Sequence, residues 1–248
     1  MTHPEISGAD DTPASPRTTA AGAPDAERVV PSADDRVEAA PRPERTTDPM
    51  QHARQLAQAG EMTAALTILR ALIAREPKHV RARQVLAELM AHKGDLEGAL
   101  TELTRALDIV PDDVQNLCSR AALYIARAKY DHAESDLKRA VKLADRNPDV
   151  QVQLGVLFCK RARWREAIDP LRAAIAADSQ HAAAHYHLGD AYNAVDDLPA
   201  ALSAYERAAL LEPGNARPLM RIGVVLDRMG RNVEAAAAYR RARMTQGR

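Results

Sequence analysis

Two arginines, Arg217 and Arg221, lie four residues apart near the carboxyl end of the 248-residue chain. In a helix, this spacing places both side chains on the same face. Two guanidinium groups on one face can hold a carboxylate through paired hydrogen bonds. The chemistry predicted for this pair is therefore binding of an acidic group.

Three histidines, His181, His185 and His187, form the one cluster of metal-ligand type. The surrounding pattern places His181 in a turn before a helix, His185 toward the core and His187 on another face. Because the three rings diverge, we predict no metal site. The chain also lacks the glycine motifs GxxxxGK[ST] and GxGxxG that cradle phosphates, so no cofactor is expected.

Paired carboxylates such as Asp112-Asp113 and Asp196-Asp197 fall where helices are predicted to begin, and we interpret them as turn and N-cap residues. Catalysis needs a nucleophile, a base and an orienting group brought together. The candidates in this chain are dispersed along it. We therefore predict no catalytic residue and no enzyme activity.

The elements that position these residues recur every 34 residues, without an insertion or deletion. The frames are 46–79, 80–113, 114–147, 148–181, 182–215 and 216–248, the last one residue short. Each frame carries two apolar patterns of helical spacing separated by a polar turn. A fixed period of this length predicts an all-α solenoid.

Small residues recur at two positions of the frame and are flanked by large ones. The twentieth position holds Ala65, Ala99, Ala133, Ala167, Ala201 and Ala235, and the eighth holds Ala53, Ala87, Ala121, Gly155, Gly189 and Gly223. Large side chains occupy the seventh, eleventh and twenty-fourth positions. The small residues are predicted to let helices approach closely, and the large ones to fill the space beside them.

The fifth frame resembles the tetratricopeptide repeat family, whose pattern is carried by Leu188-Gly189, Tyr192, Ala201, Tyr205, Ala208 and Pro213. The resemblance covers about four-fifths of the chain, and the 34-residue period favours this family over the 35-residue pentatricopeptide RNA readers. It implies a right-handed α-solenoid of six helix-turn-helix repeats. The sequence departs from the family at the fourth position, with Pro49, Arg83, Gln151 and His185, and at the closing proline, with Asp145 and Ser179.

Two features predict local irregularity in the repeats. The turn between paired helices has glycine in Gly60, Gly94 and Gly230 but alanine in Ala128 and Ala162, so the latter turns are expected to be tighter or strained. Pro170 falls about six residues into a predicted helix. It is expected to kink that helix or to leave the carbonyl of Glu166 unpaired.

Residues 1–48 differ in composition from the repeats. They contain seven prolines, no Phe, Tyr, Trp or Leu, and a net charge of −5. Such a segment cannot bury a core, so we predict a disordered acidic tail followed by a solenoid over 49–248. The amino terminus has neither the basic nor the apolar part of a secretory signal, and no apolar run is long enough to span a bilayer.

Whole-chain charge and cysteine content bound the functional class further. Lysine plus arginine and aspartate plus glutamate each number 34, so no global attraction to nucleic acid or membrane is expected. Cys118 and Cys159 sit at different heights in adjacent repeats, which disfavours a disulfide and favours free thiols in a reducing compartment. We therefore expect a cytoplasmic protein.

The resemblance implies a scaffold that holds a peptide or protein in a groove lined by the first helix of each repeat. Carried over residue by residue, the groove positions are Cys118, Ser119, Ala122, Ile125, Val152, Gln153, Val156, Cys159, Tyr186, His187, Asp190, Asn193, Arg217, Met220, Arg221 and Val224. Arg217 and Arg221 match the last basic pair of the carboxylate clamp of some family members. The remaining clamp positions hold Val152, Val156 and His187, so we expect a partner segment with apolar side chains and one acidic group.

Two other functions stay open on the sequence. The last repeat has a net charge of +6, which suggests nucleic-acid binding, although its arginines are scattered rather than aligned with stacking aromatics. The other is a regulatory module for an enzyme supplied in trans.

Overall fold

The computed structural model describes residues 48–247, which form twelve helices joined by short turns. The helices are α1 (Pro49–Gln58), α2 (Met62–Arg75), α3 (Val80–His92), α4 (Leu96–Ile109), α5 (Val114–Ala126), α6 (Tyr130–Leu143), α7 (Pro148–Lys160), α8 (Trp164–Ala177), α9 (Ala182–Ala194), α10 (Leu198–Leu211), α11 (Ala216–Arg228) and α12 (Asn232–Gln246). From α3 onward, equivalent helices begin 34 residues apart, which confirms the predicted all-α solenoid. The expected disordered tail lies outside the described residues, except for Asp48.

Each first helix begins after a residue whose side chain accepts a hydrogen bond from the first turn. These N-cap residues are Asp48, His79, Asp113, Asn147, His181 and Asn215. Such bonds satisfy backbone N–H groups that have no partner within the helix. The repeat boundaries therefore follow from cap residues in the sequence.

The turn inside every repeat contains one residue with a left-handed backbone. The glycines have φ of 85°, 89° and 74°, while Ala128, Ala162 and Asp196 have φ of 56°, 55° and 67°. A side chain in this region costs about 1 kcal/mol relative to glycine. The strain expected at Ala128 and Ala162 is therefore present, and Asp196 is a third such position that the sequence analysis did not single out.

We expect the double substitution Ala128→Gly/Ala162→Gly to raise the free energy of unfolding by about 1 kcal/mol, because relief of strain at each site exceeds the added entropy of the unfolded chain. Urea denaturation followed by circular dichroism measures the change. The matched control is Ala236→Gly, in the exposed part of α12, which should lower stability by a similar amount. A loss of stability in the double variant would contradict the assignment of strain.

Helices of one repeat approach each other through the small residues. All six alanines at the twentieth position are completely buried. A Cβ atom added to Gly155 would lie 2.5 Å from Leu171, and one added to Gly189 would lie 2.7 Å from the ring of Tyr205. The eighth and twenty-fourth positions of one repeat therefore pack directly against each other.

The polar residues that depart from the family pattern at the fourth position have a common structural role. Each donates to, or lies within hydrogen-bond distance of, the backbone carbonyl six residues earlier: Arg83 at Pro77 (2.8 Å), Gln151 at Asp145 (2.7 Å) and His185 at Ser179 (3.2 Å). These contacts connect the loop between two repeats to the first helix of the following repeat. The departures thus replace apolar packing with hydrogen bonds.

Pro170 lies inside α8, which runs unbroken from Trp164 to Ala177 and has the same 14 residues as α6 and α10. The proline therefore neither ends nor shortens the helix. Its ring occupies the frame position that Ala204 holds in α10 and Asp136 in α6.

The apolar core of the described residues consists of two clusters. One runs from Ala53 to Leu103 in repeats 1 and 2, and the other from Leu107 to Ala242. The division falls within α4, because Leu107 of repeat 2 already belongs to the larger cluster. Polar contacts also join repeats 2 and 3: Arg127 pairs with Glu97, and Arg120 donates to the Thr104 hydroxyl over 3.3 Å.

A buried polar side chain lies just after the same division. Asn116 is completely buried, and neither its amide nitrogen nor its amide oxygen has a hydrogen-bond partner within residues 48–247. The equivalent residue of the next repeat is the buried Val150. An unpaired buried amide costs free energy that an apolar residue of similar size does not.

We expect Asn116→Val to raise the free energy of unfolding by about 1–2 kcal/mol, because the amide is removed with little change in volume. Thermal and urea denaturation measure the change. The reverse control, Val150→Asn, should lower stability by at least as much. Lower stability of Asn116→Val would show that the amide has a partner.

Candidate functional site

The first helices α3, α5, α7, α9 and α11 form one surface of the array, called here the first-helix side. Two depressions lie on it. One of about 430 Å³ separates α3 from α5, and one of about 550 Å³ separates α5 from α7. These spaces are where a partner side chain has room between consecutive repeats.

The depression between α3 and α5 is mainly apolar. Predicted groove residue Ala122 lines it together with Ser119, but so do Ala87, Ala91 and Leu123. The sequence analysis did not include these last three residues. The signal was available, because three alanines facing one another across a repeat junction leave a space that larger residues would fill.

The depression between α5 and α7 has Cys118 and Val152 at its base, each only 8% exposed. Burial raises the pKa of the Cys118 thiol to about 11 and that of Cys159 to about 12. Both cysteines are free. At neutral pH the two thiols are therefore protonated, which argues against either acting as a nucleophile.

At the carboxyl end of the surface, Arg221 is engaged by neighbouring side chains. Its Nε donates to the hydroxyl oxygen of Tyr186 over 3.3 Å and lies 3.4 Å from Asp190 Oδ1. The guanidinium of Arg217 lies 5.1 Å from the centre of the Tyr186 ring, in cation–π geometry. No carboxylate within residues 48–247 pairs with Arg217.

Asp190 is the anionic centre of this cluster. Tyr205 donates its hydroxyl to Asp190 Oδ1 over 2.7 Å, and His187 Nδ1 lies 3.6 Å from Oδ2. Burial raises the pKa of Asp190, but hydrogen bonds from His187 and Tyr205 and the charge of Arg221 outweigh it and lower the pKa overall. Asp190 therefore stays ionised and neutralises Arg221, whereas Arg217 keeps its charge unpaired.

The remaining predicted groove residues differ in how accessible they are. The backbone carbonyl and side chain of Asn193 already have a hydrogen-bond partner, because Arg228 donates to the carbonyl over 2.8 Å and to the side chain. Ile125, Val156 and Cys159 are half-buried. Met220 and Val224, by contrast, are 40% and 36% exposed.

The three histidines have separate partners. His181 Nδ1 accepts from the backbone of Ala184, its Nε2 lies 3.1 Å from Asp149, and His185 lies against Ser179. Over residues 48–247, no three metal-ligating side chains converge. Thus His181 caps a helix, His185 lies within hydrogen-bond distance of a loop carbonyl, and His187 lies beside Asp190.

The basic character of the last repeat is largely neutralised on its first helix and turn. Arg221, Arg228 and Arg231 pair with Asp190, Asp196 and Glu234, respectively. This pairing weakens the nucleic-acid alternative, since phosphate binding depends on free cationic groups. None of the helices α1 to α12 is long and apolar enough to cross a membrane.

Comparison with known proteins agrees with this geometry. Family models described as tetratricopeptide repeat match residues 56–121, 152–210 and 194–248. No curated protein matches the chain.

Solved structures provide several similar folds. The crystal structure of MamA is 26% identical, with a TM-score of 0.60 over 65% of this chain and 95% of its own. YrrB, described as a TPR protein with an unusual peptide-binding site, is 20% identical, with a TM-score of 0.57 over 72% and 92%. PilF of Pseudomonas aeruginosa is 18% identical, with a TM-score of 0.68 over 77% and 86%. The last two show the fold alone.

Proposed function

The chain belongs to the tetratricopeptide repeat family, and from that premise we propose that it is a non-enzymatic adaptor. Proteins of this family are typically protein-interaction scaffolds. The partner proposed is a peptide or protein segment that lies along the first-helix side. It carries apolar side chains and one acidic group.

One observation carries this proposal: α11 presents an exposed stripe of charged and apolar side chains in which Arg217 has no carboxylate partner among residues 48–247. Arg217, Met220, Arg221 and Val224 follow the i, i+3, i+4, i+7 spacing of one helix face, and all four are exposed. The guanidinium of Arg217 lies over the ring of Tyr186 and lacks a carboxylate partner among the described residues. An acidic group of a partner would supply that carboxylate.

The depression between α3 and α5 supports the apolar part of the proposal. Its alanine lining offers a place for one large aliphatic side chain of the same segment. YrrB is an example of a similar fold described with a peptide-binding site, and its likeness supports the fold on which the proposal depends.

We expect random peptides selected by display on the full chain to be enriched in Asp or Glu flanked by aliphatic residues. Arg217→Glu should weaken binding of the selected peptides by about tenfold or more, because it replaces attraction with repulsion. Fluorescence anisotropy with labelled peptides measures the change. Helicity by circular dichroism should be unchanged.

The choice of Arg217 over Arg221 follows from the contacts. A glutamate at 221 would face Asp190, so it would disturb the fold as well as binding. The matched control is Arg241→Glu, an exposed arginine of α12 in the same repeat. Equal weakening by both variants, or none by Arg217→Glu, would move the binding surface elsewhere.

A cytoplasmic location remains part of this proposal, supported by the two free thiols. A regulatory role toward an enzyme in trans would use the same surface. Peptides recovered in the selection would then match a segment of that enzyme.

A further inference from the structure

The second helices of consecutive repeats also enclose clefts, which lie on the opposite side of each first helix from the proposed peptide surface. One of about 350 Å³ lies between repeats 1 and 2, and one of about 480 Å³ lies between repeats 4 and 5. The two clefts lie at equivalent positions of the repeat frame. Ile73, Leu86 and Arg105 line the first at the frame positions where Ile175, Leu188 and Arg207 line the second.

In the cleft between repeats 1 and 2, a carboxylate of the chain itself fills the space. Glu102, at the twenty-third position, accepts from Arg83 over 2.5 Å and from Arg105 over 2.6 Å. Glu102 and Arg83 are both buried. In the next repeat, Asp136 at the same position is held by two bonds from Arg120, of 2.8 and 2.7 Å.

In the cleft between repeats 4 and 5, this carboxylate is missing from the sequence. The twenty-third position is Ala204. Of the two arginines that pair with Glu102, Arg105 is retained as Arg207, whereas Arg83 is replaced by His185. Arg172 lines the same cleft, and its guanidinium carbon lies 5.8 Å from the centre of the Tyr192 ring. Among residues 48–247, no carboxylate forms an ion pair with Arg172 or Arg207.

The cleft thus keeps one of the two arginines and loses the carboxylate, and its volume is larger than that of the filled cleft. Ser203 and His185 add polar groups at the rim, and Ile175, Leu188 and Ala200 provide apolar walls. These features fit a carboxylate on a short apolar stem. That is the group that Glu102 supplies internally.

We infer that the cleft between α8 and α10 is a second binding site, which takes a glutamate or aspartate side chain of a partner protein in the place that Glu102 occupies between repeats 1 and 2. The site is separate from Arg217 and from the first-helix side. An experiment on this site is therefore independent of an experiment on the proposed peptide groove.

The test is an NMR titration of the full chain, with methyl groups of Ile, Leu and Ala labelled. The probe is N-acetyl-glutamate amide, and the neutral N-acetyl-glutamine amide is its matched control at the same ionic strength. We expect saturable shifts of the Ile175, Leu188 and Ala204 methyl groups with the acid only. Equal shifts with both probes, or shifts confined to other repeats, would overturn the inference.

Two variants test the assignment of the groups. Ala204→Glu restores the internal carboxylate and should abolish saturable binding. Arg207→Gln should weaken it by about tenfold or more, whereas the control Arg241→Gln, at the same frame position in the last repeat, should leave it unchanged. If Ala204→Glu fails to fold, the Arg207→Gln comparison decides alone. Tighter binding of inorganic phosphate than of the glutamate probe would overturn the carboxylate assignment.

Discussion

Replacing Gly189 with alanine should lower the free energy of unfolding by about 2–3 kcal/mol, the largest loss we expect from adding one methyl group to this chain. The added Cβ would meet three ring atoms of Tyr205 at 2.7 to 2.9 Å. Tyr205 is completely buried, so its ring has no free space into which to move. Thermal and urea denaturation measure the loss.

The other repeats show how the clash is relieved. Where the eighth position is alanine, as in Ala53, Ala87 and Ala121, the twenty-fourth is the smaller leucine, as in Leu69, Leu103 and Leu137. Gly189→Ala should therefore cost less in a Tyr205→Leu background than alone. We expect a favourable coupling of about 1–2 kcal/mol in the double-mutant cycle.

The single change Tyr205→Leu is also informative, because it removes the hydrogen bond to Asp190 as well as ring volume. Its own loss of stability is measured in the same cycle and does not enter the coupling. Additive losses for the two substitutions would mean that the eighth and twenty-fourth positions do not share one space. That result would contradict the close packing of Gly189 against Tyr205.

Ala133→Leu and Ala167→Leu should each lower the free energy of unfolding by about 1–3 kcal/mol, because both alanines are completely buried between paired helices. Differential scanning calorimetry of the full chain measures the change. The effect is an overpacking cost, so helicity of the remaining folded protein should stay near that of the parent.

The control for these variants is Ala236→Leu. Ala236 is exposed, whereas its neighbour Ala237 is half-buried. A leucine at 236 should change stability by no more than about 0.5 kcal/mol. Equal losses at Ala133 and Ala236 would mean that the frame has been placed in the wrong register.

The fold could be predicted almost completely from the sequence because each element carries its own local signal. Asp113 and Asn147 mark helix starts, Gly94 and Gly230 mark turns, and Ala201 marks a helix contact. These signals repeat at a fixed spacing, so each copy supports the others. The same repetition explains why polar residues at the fourth position did not disturb the register.

The candidate site was less predictable, because its properties depend on contacts between repeats. Arg217 and Arg221 have the same residue type and helix face, yet Asp190 of the preceding repeat neutralises only Arg221. Spacing along one helix cannot show that difference. In the same way, Val152 and Val224 are both predicted groove residues, but Val152 is buried by its neighbours.

The division of the core within α4 has a consequence for cooperativity. Nearest-neighbour coupling in a repeat array depends on the interface that adjacent repeats share. At the junction of repeats 2 and 3, Leu107 of repeat 2 belongs to the larger cluster, and Leu123 of repeat 3 packs against the smaller one. A sub-global opening of the first two repeats would therefore have to break the apolar contacts of Leu107 and Leu123. A side chain that fills the depression between α3 and α5 would contact repeats on both sides of the division. Occupancy of that depression would add to these contacts, so that ligand binding is linked to the ordering of repeats 1 and 2.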